Sequence, residues 1–206
     1  MTNIFIETGS LTSNEYNFVK MFIEQCSNKR IQDDYVLVRV GGKDKLEQNK
    51  SKFFDHKNDQ EKNLVIFDAD MPENGGGFEK RKKDLTDKLK SMGGQFELFL
   101  FPNDKDDGMF EHLLERIINP EHKHVLECFT CYEKCLEKYR QSDGSSFYQM
   151  PDQKAKMYAY ISSFKRNNAA KEEIKNKGLW GFENPKYWNM QAEYLKPLIA
   201  FLQKNV

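Results

Sequence analysis

Two aspartates stand one residue apart at the end of an apolar run. Asp68 and Asp70 follow the residues LVIF at positions 64–67, and three consecutive glycines come shortly after them, at positions 75–77. Because alternate residues of a strand point to the same side, both carboxylates are predicted to meet where the chain leaves a sheet. Such a pair suits a cation site, and it also suits a solvated strand end or a helix N-cap.

A third acid, Glu7, closes an earlier apolar and β-branched segment, NIFIET. Ligands of parallel α/β sheets bind at the carboxyl ends of the strands. If these two strands are neighbours, Glu7, Asp68 and Asp70 meet as three hard oxygen ligands, which suit Mg²⁺ or Mn²⁺ better than zinc. Three carboxylates together repel one another unless a cation neutralises them.

Strands and helices alternate through the first half of the chain. Residues 3–8, 35–40, 63–70 and 95–102 are predicted strands, and helical periodicity follows the first, third and fourth of them. This order predicts an α/β fold, a three-layer parallel sheet of about four strands with helices on both faces. The polar run 41–62 is predicted to be a long exposed connection. From His124 onward the pattern is helical only, so we expect an α/β domain over 1–120 and a helical C-terminal region over 121–206 packed on it.

Composition limits the function classes. Lysine plus arginine equals aspartate plus glutamate at 32 each, so nucleic acid would have to bind through a local basic patch. No secretory signal and no apolar run near ~20 residues is present, and we therefore expect a cytoplasmic protein without membrane contact. Four cysteines do not form a secreted disulfide framework.

Three of these cysteines fall at positions 128, 131 and 135, close to His122 and His124. Short-spaced cysteine and histidine residues invite a zinc interpretation. The cysteines nevertheless share one stripe of a predicted helix with apolar residues, and a free cysteine commonly packs as a small hydrophobe. We therefore predict core packing for this stripe.

A local basic patch begins directly after the glycine loop, with Lys80, Arg81 and Lys82. Backbone N–H groups of a glycine loop that leads into a helix can hold a phosphate, and the basic side chains can hold a polynucleotide backbone. The same residues also fit the solvated face of an amphipathic helix.

The segments FIETG and LVIFDAD resemble the Toprim domain of topoisomerases, DnaG-type primases and OLD-family nucleases. That resemblance implies metal binding by Glu7, Asp68 and Asp70, with Gly9 in the loop that contacts phosphate. This chain departs from the family pattern because Thr8 separates the glutamate from the glycine.

A closer resemblance is to uncharacterised stand-alone bacterial Toprim-like proteins, on FPNDKDDGMFEHLL, MPDQKAKMYAYI and NPKYWNM. It implies a metal-binding role for Glu111, and OLD-like members carry a second acid that Glu15 would match. Glu15 also completes a T-x-x-E capping box with Thr12, which explains it without a metal. Asp107 is predicted to be an N-cap, and Lys154 could stabilise charge on a transferring phosphoryl group.

The resemblance implies Mg²⁺- or Mn²⁺-dependent phosphodiester chemistry on nucleic acid, nuclease-like, with Glu7 in a catalytic role. Lys154 is the second catalytic candidate, for the charge-stabilising role that a lysine opposite a metal site can take. A second interpretation is a non-catalytic metal- or nucleotide-binding module that acts as a partner subunit. Its partner would be an ATPase, because OLD nucleases carry their ATPase in the same chain. A third interpretation is a structural α/β protein whose acids merely end strands. A close approach of Glu7 to the two aspartates would favour the metal interpretations.

Overall fold

A four-stranded parallel sheet forms the centre of the molecule, in a computed structural model that describes residues 2–27, 30, 34–54 and 62–206. The strands are β1 Thr2–Ile6, β2 Tyr35–Arg39, β3 Asn63–Asp68 and β4 Phe96–Phe101. Their spatial order is β2-β1-β3-β4, so β1 and β3 are the two central strands and pair directly with each other. The predicted α/β class is confirmed.

Helices connect these strands and form the C-terminal region. Their bounds are α1 Asn14–Ser27, α2 Lys50–Phe53, α3 Phe78–Met92, α4 Phe110–Arg116, α5 Lys123–Leu136, α6 Gln153–Ser162, α7 Asn168–Lys177 and α8 Lys196–Asn205. Short 3-10 helices lie at Lys43–Asn49, Pro72–Asn74, Pro120–His122 and Glu193–Leu195. Among the described residues, every helix is too short or too polar to cross a lipid bilayer.

The sheet separates two apolar clusters, because successive residues of each strand face opposite sides. On one face, Ile4 and Ile6 of β1 pack in a cluster with α1, α4 and the C-terminal helices, which contribute Leu198 and Leu202. On the other face, Phe5 packs in a cluster with α2 and α3. The fold therefore has three layers, and the helical C-terminal region shares the core of α1.

The connection after β2 differs from the prediction. Residues 41–54 were expected to be exposed, yet Leu46 and Phe53 are fully buried, and the Phe53 ring lies 4.3 Å from that of Phe5. These two apolar residues cover the sheet beside α3. The prediction missed them because the composition of the segment is polar on average. Residues 55–61 of the same connection lie outside the described residues.

The predicted burial of the cysteine stripe is also corrected. Cys128, Cys131 and Cys135 are free thiols exposed on α5, and no residue of α5 is fully buried. Helical spacing shows which residues share a face, but it does not show whether anything packs against that face. The core prediction for these thiols was therefore wrong.

Candidate functional site

Two strand-end acids are held together at the carboxyl edge of the sheet. Glu7 follows β1 and Asp68 ends the neighbouring β3. The Glu7 carboxylate accepts hydrogen bonds from the backbone N–H of Asp68 to Oε2, at 3.1 Å, and from that of Lys43 to Oε1, at 3.3 Å. The sheet thus fixes the Glu7 carboxylate over the ends of its two central strands.

The segment after β4 brings a further acid to this edge. The backbone N–H of Gly108 donates to the carbonyl of Asp70 at 2.9 Å, and these residues form an antiparallel bridge. The N–H of Phe110 then donates to Asp68 Oδ1 at 2.8 Å. Since Phe110 begins α4, the next residue, Glu111, is brought to the strand ends.

Asp107, in the same segment, has a different role from the predicted one. It was expected to cap the helix that follows it, yet α4 begins at Phe110 after Met109. Its Oδ1 instead accepts the backbone N–H of Phe78, the first residue of α3, at 2.5 Å. Asp107 therefore satisfies the start of a helix that lies earlier in the chain.

Glu15 does not take part in the predicted capping box. Ser13 caps α1, because its Oγ accepts the backbone N–H of Tyr16 at 3.0 Å, while the Thr12 hydroxyl contacts the Ser10 hydroxyl at 2.8 Å. The local explanation for Glu15 is thereby removed. Its Oε1 is buried and has no hydrogen-bond partner, which is a costly state for a carboxylate oxygen.

Glu7, Glu15, Asp68 and Glu111 line one cavity of about 510 Å³ at the carboxyl edge of the sheet. Lys154, the second residue of α6, stands exposed at its rim. The titratable side chains that line the cavity are Glu7, Glu15, Asp68, Glu111, Asp152 and Lys154. Glu7 and Asp68, at the ends of β1 and β3, thus meet acids from the first turns of α1 and α4, and the start of α6 adds Asp152 and Lys154, so five elements contribute to one site.

Burial and mutual repulsion disfavour ionisation of the two most enclosed acids. Burial, followed by the charges of Glu7 and Glu111, raises the pKa of Glu15 to about 8, although Lys154 opposes the shift. Burial, followed by the charges of Glu15, Glu7 and Glu111, raises the pKa of Asp68 well above its ordinary value. Without a cation, the cavity therefore retains protons at neutral pH.

The pKa values of Glu7 and Glu111 are raised as well. Burial raises the pKa of Glu7, while the backbone N–H of Asp68 opposes the shift. Burial also raises the pKa of Glu111, against its own backbone N–H and Lys154. One exposed lysine thus faces five acids, and the charge of the cavity is not balanced by the side chains that line it.

Asp70 turns away from this cavity, contrary to the prediction for the two aspartates. Its backbone is in the left-handed region, with φ of 59°, which ends the strand alternation at Asp68. Its carboxylate forms an ion pair with Arg81 of α3. Asp70 does not line the cavity, although its charge raises the pKa of Glu7.

The residues predicted to contact phosphate also lie outside the cavity lining. Arg81 is only 5% exposed, so a polynucleotide backbone cannot reach it, and this prediction is corrected. Lys80 donates to the carbonyl of Gly75 at 2.9 Å, and Lys82 lies 3.8 Å from Asp104. Gly9 is exposed, and its carbonyl accepts from Arg39 at 3.4 Å.

The donor atoms of the cavity fit a hard divalent cation, although their spacing in this structure is wider than a coordination shell. The carboxylates that line the cavity, among them that of Glu15 with its unpartnered oxygen, are the donor set that Mg²⁺ and Mn²⁺ prefer. Within the described ranges, no three carboxylate, imidazole or thiol groups lie close enough to hold one metal ion. Binding would therefore require rotation of cavity side chains.

Fold and site together define an α/β protein with an acidic cavity at the carboxyl edge of its parallel sheet. Residues 12–206 match the model of a family described as a protein of unknown function, DUF3226. The match covers most of the chain, so the protein belongs to this family. It includes Glu15, Asp68, Glu111 and Lys154, whereas Glu7 precedes it. No curated protein and no solved structure matches the chain.

Proposed function

We propose that the acidic cavity is a divalent-cation site at which the protein carries out Toprim-like, nuclease-like phosphodiester chemistry on nucleic acid. The observation that carries this proposal is the buried, unpartnered Oε1 of Glu15, set in a cavity with Glu7, Asp68 and Glu111. A buried carboxylate oxygen without a donor is costly, and a cation would satisfy it.

The position of the cavity also supports the proposal. Parallel α/β sheets bind ligands at the carboxyl ends of their strands, in the crevice where the chain leaves the sheet. Glu7 and Asp68 occupy those ends on the two central strands, and backbone N–H groups hold both carboxylates. Two of the acids are therefore preorganised, which is what a metal site requires of its protein ligands.

When bound, Mg²⁺ or Mn²⁺ would activate a water molecule and stabilise charge on a phosphate. Glu7, Glu15, Asp68 and Glu111 would hold the ion. Lys154 stands exposed at the rim, where its ammonium group would attract the phosphate and stabilise negative charge on it. Glu7, whose pKa burial raises, would accept a proton from the attacking water.

Metal binding tests this proposal first. Mn²⁺ is titrated into the wild type, Asp68→Asn, Glu15→Gln and the control Glu137→Gln, which alters an exposed acid that follows α5 and does not line the cavity. Free Mn²⁺ is followed by electron paramagnetic resonance. We expect saturable binding by wild type and control, weakened more than about tenfold by each cavity variant. Absence of binding by the wild type at millimolar Mn²⁺ would overturn the proposal.

Cleavage assays with single-stranded and duplex DNA and RNA then test the chemistry. Metal-dependent cleavage that disappears in Asp68→Asn but persists in Glu137→Gln would support a nuclease. Binding of Mn²⁺ without cleavage of any of these substrates would instead favour the non-catalytic module, and the search would turn to an ATPase subunit as its partner.

A further inference from the structure

Arg81 is a buried cation beside the carboxylate cavity. Its side chain is 6% exposed, its Nη2 donates to Asp70, and its Nε is buried without a hydrogen-bond partner. A buried guanidinium is stable only when an opposite charge accompanies it. Among the described residues, Arg81 forms its ion pair with Asp70, and this pair fixes both side chains.

The pair lies close enough to the cavity to act on it electrostatically. The charge of Asp70 raises the pKa of Glu7, and the charge of Arg81 lowers it. Asp70 lies two residues after Asp68, and its carbonyl accepts the N–H of Gly108, which directly precedes the cavity-lining residues Met109 and Phe110, so a neutralised aspartate lies next to the acids of the proposed metal site. The Arg81 guanidinium is thus a fixed positive charge beside the cavity.

The backbone around Asp70 also keeps its carboxylate on the Arg81 side. A Cβ on Gly76 would lie 2.3 Å from the Cβ of Asp70 and 2.7 Å from the carbonyl oxygen of Ala69, so the glycine loop is closed tightly over this residue. The bridge between Asp70 and Gly108 holds it from the other side. These contacts fix the backbone and Cβ of Asp70, and rotation of its carboxylate away from Arg81 would leave the guanidinium unpaired.

From these contacts we infer that Arg81 takes the place of a second metal ion, so that the cavity binds a single divalent cation and Asp70 is not one of its ligands. This inference rests on the proposed function, because it concerns the number of ions at the same site. The guanidinium neutralises Asp70, and a fixed positive charge beside the cavity disfavours a second divalent ion at that position. Arg81 is thus a positioning residue for the site.

The stoichiometry of Mn²⁺ binding tests the inference. Equilibrium dialysis is performed on the wild type, Arg81→Gln, Asp70→Asn and the control Lys82→Gln, which removes a positive charge from the same helix without a contact to Asp70. We expect one Mn²⁺ per chain for the wild type and control, and a second, weaker Mn²⁺ in Arg81→Gln, where Asp70 becomes free. Two ions in the wild type would overturn the inference and leave the proposed function standing.

Asp70→Asn provides an independent readout if Arg81→Gln does not fold. We expect Asp70→Asn to bind one Mn²⁺ per chain, as the wild type does, because Asp70 is not a ligand; the unpaired charge of Arg81 weakens the affinity but leaves the stoichiometry unchanged. Complete loss of Mn²⁺ binding in a folded Asp70→Asn protein would contradict the inference. A wild type that binds no Mn²⁺ would overturn the proposed function itself, and this inference with it.

Discussion

The Glu7 carboxylate accepts the backbone N–H of Asp68 at 3.1 Å, which couples two acids that lie 61 positions apart in the chain. The pairing of β1 with β3 produces this contact, because it brings the two strand ends to the same edge. The contact also has a cost, since the charge of Glu7 is one of the causes that raise the pKa of Asp68. Without metal, folding therefore encloses acids that resist ionisation.

The metal-free protein should lose stability as the pH rises. Glu15 has an ordinary pKa of 4.5, which stands for the unfolded chain, and a folded-state pKa of about 8. Between these values the folded state binds a proton that the unfolded state has released, so the free energy of unfolding falls as the pH rises. Urea unfolding in EDTA between about pH 5 and pH 8 measures this slope. A free energy that is flat or rises over this range would contradict the assignment.

Glu15→Gln should reduce that slope. The variant removes one of the protons concerned, so the slope should diminish by up to about 1.4 kcal/mol per pH unit. The matched control is Glu137→Gln, an exposed acid, for which we expect the wild-type slope. Parallel pH dependences for Glu15→Gln and the wild type would show that Glu15 is not the group that retains the proton.

Alanine substitutions at Ser13 and Thr12 should show which of these two neighbouring residues caps α1. Ser13→Ala should destabilise the protein by about 0.5–2 kcal/mol, the usual cost of losing an N-cap, because the Ser13 hydroxyl accepts the N–H of Tyr16. Thr12→Ala should have little effect, since the Thr12 hydroxyl contacts only Ser10 in an exposed turn. Urea unfolding of both variants at one pH measures the difference. The reverse order of effects would restore the Thr12 capping box.

The architecture was predictable because each strand and helix has a local pattern. The apolar runs before Glu7 and Asp68 mark buried central strands, and the carboxyl ends of neighbouring parallel strands necessarily lie together. The buried residues Leu46 and Phe53 were not predicted, because single apolar residues in a polar segment carry no periodicity.

The site was only partly predictable, for two physical reasons. Glu15 fits a capping box one residue out of register, and only the structure shows that Ser13 supplies the cap. Asp70 leaves the strand through a left-handed backbone conformation that aspartate adopts infrequently, so the alternation rule does not apply to it. Its pairing with Arg81 depends on how α3 packs, and that is tertiary information.

Alanine substitutions in the glycine loop beside Asp70 should separate the cost of a steric overlap from the cost of a positive φ. Gly76→Ala should destabilise the protein by about 1–3 kcal/mol or more, because the added Cβ would overlap Asp70. Gly75 has a positive φ of 73° but open space around it, so Gly75→Ala should cost only about 1–2 kcal/mol. Thermal unfolding of the two variants provides the comparison. Equal tolerance of alanine at both positions would argue against the close packing of Gly76 on Asp70.

The thiols of α5 should react without denaturant. Cys128, Cys131 and Cys135 are exposed, and accessible thiols react readily, whereas buried structural cysteines are inert. In a Cys26→Ser background, three thiols per chain should therefore react rapidly with Ellman's reagent in the native protein, and each further Cys→Ser change on α5 should remove one. Guanidinium should not increase the total. A native protein that reacts only after unfolding would show that these cysteines are covered, as their helical stripe had predicted.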